Sequence, residues 1–311
     1  TVLYEKSWIS KLTNAHSLSE IELKELDLEY TSYLSKIILH FIYKNQIDNI
    51  DFISSHGHTV FHEPKKQMTY QIGNRVELNK LTNIPVVCDF RVQDVKFGGQ
   101  GAPLVPIGDL LLFRDYSHCL NLGGFSNISV KSNDHILAYD ICPVNIVLNK
   151  YSRLVGVDFD LDGKISESGK IDNNLLKLLN SISFYSLTHP KSLGVEWVEN
   201  KIFPLIDSFN LSVEDALRTF VEHVAIQISN NLKGNNLKVL ITGGGVKNKF
   251  LIKRIKKISN QNFETISKNI IDYKEALIFG FLGVLKIRNE NNCLKSVTGA
   301  KENHSSGVIF Q

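Results

Sequence analysis

The sequence lacks the marks of export, of membrane insertion and of nucleic-acid binding. Its four cysteines, Cys88, Cys119, Cys142 and Cys293, are scattered with no CxxC spacing, and three sit in apparent strands, where a thiol acts as a small apolar group. This excludes a disulfide scaffold and a zinc ribbon, and it reads as a chain kept reduced in the cytoplasm. There is no basic excess either: 35 Lys and Arg stand against 32 Asp and Glu, a net charge of +3, which gives no stripe for tracking phosphates. No apolar run reaches the ~18 residues of a membrane span, and the opening TVLYEKSWISKL has neither the basic nor the apolar part of an export signal. A soluble protein with neither nucleic acid nor membrane as partner is expected. What is present is a 43% hydrophobic content over 311 residues, enough for two cores.

Taken in order, the chain opens with helical spacing from about Ser17 to Tyr43, where Ser17 and Glu20 have capping-box separation. Strands are expected from Asp51 to Ser54 and from Met68 to Gly73, with Pro64, Lys65 and Lys66 turning between them. Leu110 to Phe113 closes a first domain of residues 1–115, and residues 116–311 form a second, with a return of the extreme C-terminus to the first domain as an alternative. That second domain begins with two strand-like halves flanking Gly123 and Gly124, a tight hairpin that is either structural or a cradle for an anion. A third strand over Ile136 to Ile141 carries Asp140 near its end, and a helix follows from Val144. Leu187 to Trp197 is a loop containing Pro190 and Gly194. In the helix from Val213 to Leu232, Glu222 and His223 lie at or off the apolar stripe, where such groups are usually solvated. The strand Lys238 to Thr242 runs into Gly243, Gly244 and Gly245, with Asn248 beyond. The last helix, Ala276 to Ile287, carries Gly280 and Gly283 for close packing.

The chemistry is expected in VVCDFRVQDVKFGGQGAPLVP, from Val86 to Pro106. A short buried-type strand breaks there at Asp89 and Asp94, with Arg91 between them, and runs into Gly98, Gly99, Gln100 and Gly101. A carboxylate beside a glycine turn suits proton removal next to a bound oxyanion; an ion pair at a strand end followed by an ordinary loop is the alternative. Two metal readings compete. His56, His58 and His62 share one strand parity, as in a metal hydrolase, although only Glu63 follows, on the opposite face. Asp158, Asp160, Asp162 and Gly163 match the first half of a calcium loop whose closing position holds Gly169 instead of glutamate.

Seven segments in order, HGHTVFHEP, DFRVQDVKFGGQGAPLVP, LNLGGFSNIS, the Asp162-Gly163 to Ser168-Gly169 stretch, PKSLGVEW, ITGGGVKNKFL and SVTGA, resemble the anhydro-N-acetylmuramic acid kinase family. The resemblance implies two α/β domains of the actin-like, sugar-kinase type, ATP and magnesium as cofactors, and phosphorylation of the sugar as its 1,6-anhydro ring opens, in peptidoglycan recycling. It further implies a homodimer. Carried over, it makes Asp94 the base that activates water, with Asp89 its rival for that role. It makes Arg91, His56, Gln100, Gly101 and Glu222 sugar contacts. Asn121, Gly123, Gly124, Ser126 and Asn127 become the phosphate hairpin, and Gly243, Gly244, Gly245 and Asn248 the adenosine side. No side chain is assigned to a metal. Members of the family open with a further strand and phosphate hairpin ending in Asp-Gly, which this sequence does not contain. A chain that truly starts at Thr1 implies a non-catalytic sugar-binding protein of the same fold.

Overall fold

The computed structural model describes all residues except Asn133, Asp134, Pro190, Asn235, Asn262, Thr265 and Ile266. Pro190 of the expected loop therefore lies outside the described residues. The strands, in chain order, are β1 (Ile53–Ser54), β2 (His58–Glu63), β3 (Met68–Ile72), β4 (Val86–Cys88), β5 (His118–Leu122), β6 (Phe125–Ser132), β7 (His135–Pro143), β8 (Val239–Thr242), β9 (Phe263–Glu264) and β10 (Val308–Phe310). The chain forms two compact α/β units, one of Thr1–Gly108 with Glu275–Gln311 and one of Asp109–Lys274.

In the first unit, β4 is the centre of a three-stranded sheet, parallel to β1 and antiparallel to β10. Val86, Val87 and Cys88 are wholly buried, as a β-branched run in a central strand should be. A separate hairpin pairs β2 with β3, and its register shifts between Thr59 and Phe61. The long helix is Glu20–Lys44, and its capping box is Ser19 with Glu22 rather than Ser17 with Glu20. Ser17 falls in the preceding 3-10 turn, where its hydroxyl donates to Asn14 O. Asp27 ties this helix to the hairpin by accepting from Tyr70 Oη and Gly73 N, both at 2.7 Å. The last long helix is Lys268–Ile287, eight residues longer at its start than its apolar pattern indicates. A Cβ on Gly283 would meet Phe52 at 2.7 Å, whereas Gly280 has open space beside it, so only one of the two serves close packing.

The second unit is built on a five-stranded sheet in the order β7-β6-β5-β8-β9. β5, β6 and β7 form an antiparallel meander, and β5, β8 and β9 run parallel. The core lies between this sheet and the helix Val213–Asn230, whose Leu217, Phe220, Val221, Val224 and Ile228 are buried. His223 is buried with them rather than solvated: its Nδ1 bonds to Asn180 Oδ1 at 2.7 Å and its Nε2 to Tyr185 Oη at 3.0 Å.

Candidate active site

Asp89 directly follows β4, and its backbone has φ 56°, a left-handed conformation that aspartate tolerates better than most residues. Burial raises its carboxyl pKa, with the Val92 N–H and Lys96 pulling the other way. A short helix, Val92–Lys96, then carries Asp94 inward to complete burial. Both of its oxygens are committed: Oδ1 accepts from Thr298 Oγ1 and Oδ2 from Gly101 N, each at 2.7 Å. A Cβ on Gly99 would collide with the Asp94 carboxylate, so that glycine is what allows the turn to close over the acid. Asp94 thus organises the turn from inside.

Arg91, on the same element, holds Gly101 by its carbonyl as Asp94 holds it by its N–H. Its Nη1 donates to Gly101 O at 2.6 Å and its Nε to His56 Nε2 at 3.0 Å. Since His56 Nε2 accepts, its proton sits on Nδ1, which donates to Gly57 O at 3.0 Å. Burial, with the Arg91 charge adding to it, lowers the His56 pKa to about 4 and keeps the ring neutral. Gln100 uses its backbone, donating to Thr298 O at 2.8 Å, while the residue stays exposed. The structure therefore brings Asp94, Arg91, His56, Gln100 and Gly101 into one hydrogen-bonded element.

The three histidines do not gather. His56 precedes β2 and is engaged by Arg91, His62 bonds to Thr69 Oγ1 at 3.0 Å, and the register shift breaks the strand parity they appeared to share. Among the described residues, the ligand-type atoms that converge are those of Asp94, Cys293 and His304. Asp160 closes its own loop, accepting from Ile165 N, Ser166 N and Ser166 Oγ.

In the second unit, the parallel strands β5 and β8 lie side by side with Asn121 opposite Thr242, and both end in glycines. The β5–β6 hairpin and the Gly243–Gly245 turn are consequently neighbours. A side chain at Gly243, which has φ 89°, would strike Asn121 Oδ1 at 2.6 Å and Leu122 O at 2.7 Å. Gly124 and Gly244, by contrast, have nothing within 4 Å of a Cβ, so their backbones are open to a ligand. The hairpin's carbonyls are used up: Gly124 O accepts from Val144 N at 2.8 Å and Gly123 O from Asn145 Nδ2 at 2.7 Å. Gly123 N in turn donates to Phe125 O at 3.0 Å, so among the described residues the Gly124 N–H is the glycine donor that the turn retains for an anion. Asn127 is exposed, whereas Ser126 is fully buried with no partner for Oγ among the described residues. Asn248 caps the helix Lys249–Ser259 by accepting from Leu251 N at 2.9 Å. Glu222 is not solvated: Arg254 grips it at 2.7 and 2.6 Å and Arg218 at 3.0 Å, joining two helices. Burial would raise its carboxyl, but the two arginines hold it below its ordinary value.

Sequence reasoning gave Asp140 no role. It lies near the end of β7 opposite Asn127, where the β6–β7 register shifts between Ser126 and Asn127. Its N–H donates to Lys191 O at 3.0 Å, and its Oδ2 accepts from Leu193 N at 2.8 Å, so the KSLG stretch is laced to the strand. Oδ1 has no hydrogen-bond partner among the described residues, and burial raises the carboxyl pKa, moderated by the Leu193 N–H. A carboxylate with a raised pKa and a free oxygen is equipped to take a proton. Its only sequence signal was a charged residue inside an otherwise apolar strand.

A family model described as anhydro-N-acetylmuramic acid kinase matches residues 5–311. Among similar proteins, the anhydro-N-acetylmuramic acid kinase of Pseudomonas syringae pv. syringae (strain B728a) is 36% identical over 274 residues, which cover 83% of this chain and 74% of that protein. The anhydro-N-acetylmuramic acid kinase of Haemophilus influenzae (strain ATCC 51907 / DSM 11121 / KW20 / Rd) is 33% identical over 339 residues, covering 96% and 87%. A solved structure, the activator of the 2-hydroxyisocaproyl-CoA dehydratase from Clostridium difficile with bound ADPNP, matches 61% of this chain and 69% of that one at 17% identity and a TM-score of 0.37, too distant to bear on chemistry. No helix among the described residues is long and apolar enough to cross a membrane. With the family model matching from residue 5 to the last residue, the chain belongs to the anhydro-N-acetylmuramic acid kinase family.

Proposed function

We propose that this chain uses ATP to open the 1,6-anhydro ring of anhydro-N-acetylmuramic acid and phosphorylate O6, giving N-acetylmuramic acid 6-phosphate for peptidoglycan recycling. Ring opening needs water at the anomeric carbon. Water attacks C1 and loses a proton to a base, the C1–O6 bond breaks, and O6 captures the γ-phosphoryl group as ADP leaves. The sugar-side groups are Arg91, His56, Gln100 and Gly101; the nucleotide's phosphates meet the β5–β6 hairpin, and its adenosine side meets the glycine turn after β8.

The observation that carries the assignment of the base is the placement of Asp140, which keeps a free Oδ1 on the strand paired with the phosphate hairpin; the raised carboxyl pKa accompanies this but is shared with Asp89. Sequence pattern favoured Asp94. Complete burial with both oxygens bonded instead supports a positioning part for Asp94, and Asp89 remains beside it as a helix-start carboxylate. Glu222, held by Arg218 and Arg254 through three hydrogen bonds, is better accounted for as the ion pair that joins two helices than as a sugar contact.

Magnesium neutralises phosphate charge in such transfers. The converging Asp94, Cys293 and His304 do not suit it, since magnesium prefers oxygen ligands and these offer a thiol and an imidazole in a closed interior. The ion is therefore assigned to the nucleotide's own phosphates. Dependence on ATP and four reduced cysteines support a cytoplasmic setting, and sedimentation tests the homodimer. The function is tested by incubating the protein with anhydro-N-acetylmuramic acid, ATP and magnesium: N-acetylmuramic acid 6-phosphate and ADP should appear in equal amounts.

A further inference from the structure

The segment after Cys293 frames the Phe90–Gly101 element at four points. Gln100 N donates to Thr298 O at 2.8 Å, Lys301 N to Phe97 O at 3.1 Å, Ser306 Oγ to Phe90 O at 2.7 Å, and Thr298 Oγ1 to Asp94 Oδ1 at 2.7 Å. Thr298 is 1% exposed, and its single hydroxyl proton has two possible acceptors. Leu294 O is 3.4 Å away and the Asp94 carboxylate 2.7 Å, so the proton goes to the acid.

From Thr298 an unbroken series of bonds reaches the sugar-side groups. Asp94 takes the hydroxyl on one oxygen and Gly101 N on the other; Gly101 O holds Arg91 Nη1 at 2.6 Å; Arg91 Nε holds His56 Nε2 at 3.0 Å. We propose that Thr298 is a positioning residue for sugar binding, its hydroxyl setting the Asp94 carboxylate and, through Gly101, the angle at which Arg91 and His56 meet the sugar. The proposal rests on the reading of this element as the sugar side. Thr298 itself touches no substrate.

Such a role separates from simple packing by what each substitution keeps. Thr298→Val keeps shape and loses the hydroxyl; Thr298→Ser keeps the hydroxyl and loses the methyl. Small displacements of binding groups cost up to ~100-fold. Thr298→Val should therefore raise KM for the sugar ~10- to 100-fold, with kcat and KM for ATP within about threefold, because binding rather than the chemical step is lost. Thr298→Ser should stay within about threefold throughout. An unchanged sugar KM in a folded Thr298→Val protein overturns the proposal, and so does a Thr298→Ser enzyme impaired as much as Thr298→Val. Amide exchange on the unmodified protein decides the matter where the valine variant does not fold. Gly101 and Gln100 N–H should exchange together, since Thr298 stands behind both, through its hydroxyl and Asp94 for Gly101 and through its backbone O for Gln100, and a Gly101 amide exchanging ~100-fold faster than Gln100 breaks the series at Asp94. An unmodified enzyme that gives no turnover removes the functional reading and the sugar role with it, while the exchange result still reports on the bonds themselves.

Discussion

Leu193 donates its backbone N–H to Asp140 Oδ2 at 2.8 Å, and this bond leaves Oδ1 as the oxygen that can receive a proton from water. Asp140→Asn keeps the shape and the Leu193 contact but removes the base. General-base contributions are typically ~100- to 10,000-fold, so kcat should fall by that much while sugar and ATP binding change little. Asp94→Asn is the informative partner. An amide cannot accept on both sides, so either Gly101 N–H or the Thr298 hydroxyl is left facing a donor, at a cost of about 1–3 kcal/mol. That variant should show a lower melting temperature and weaker sugar binding, with a smaller loss of kcat than Asp140→Asn. Steady-state kinetics in which Asp94→Asn loses the more kcat would return the base to Asp94.

The two open glycines test the nucleotide side. A valine at Gly244 meets no protein atom within reach of its Cβ, so the fold should tolerate it while the adenosine moiety is obstructed. ATP affinity measured by calorimetry should drop at least ~10-fold, with sugar affinity nearly intact. Gly124→Asp should oppose the phosphates by charge and likewise weaken ATP binding. Normal ATP affinity in both folded variants would make the two turns structural only.

How much of this was legible depended on whether the deciding neighbour was near in sequence. The hairpin around Gly123 and Gly124, the buried β4 and the long Glu20–Lys44 helix follow from local periodicity and turn chemistry, and each was visible. Asp94 was visible as a residue, but its inward orientation is decided by Thr298, 204 positions away. Asp140 was passed over for the same reason, since the groups that give it meaning, Lys191 and Leu193, arrive from a separate loop. Glu222 sits one helical turn from Arg218, which could have been noticed, yet Arg254 comes from another helix. β10 has only three residues, too few to carry a pattern, and its pairing with β4 follows from tertiary structure alone.

Two imidazoles, His223 wholly buried and His56 partly so, contribute to the acid limb of stability. His56 and His223 have pKa values lowered by burial to about 4 and about 3, below the ~6.5 of an unfolded histidine. The unfolded chain therefore binds more protons in this range, and stability rises with pH there. Their contribution is fully present above about pH 6.5 and is lost progressively as pH falls towards about 4 for His56 and about 3 for His223. Denaturant unfolding at intervals from pH 7.5 to 4.5 should show this decline, and NMR should find neither ring titrating above pH 5. A midpoint near 6.5 for either ring contradicts the packing described.

Lys274 and Asp109 are the last and first residues of the second unit, and they form a buried ion pair at 2.6 Å. Lys274→Met leaves the carboxylate unpaired in the interior, which typically costs ~3–5 kcal/mol. Adding Asp109→Leu removes the stranded charge and should recover much of that loss. Denaturant midpoints for the single and double variants check this; a double variant no better than the single one would mean that packing, rather than the unpaired charge, dominates.

The central claim, that water opens the ring while O6 takes the phosphoryl group, is met most directly by running the reaction in water enriched in oxygen-18. Stopping early, before the product sugar's anomeric oxygen exchanges with solvent, and analysing N-acetylmuramic acid 6-phosphate by mass spectrometry should find one heavy oxygen at C1 and none in the phosphate. Heavy oxygen in the phosphate, or ATP consumed with the anhydro ring left intact, would contradict it.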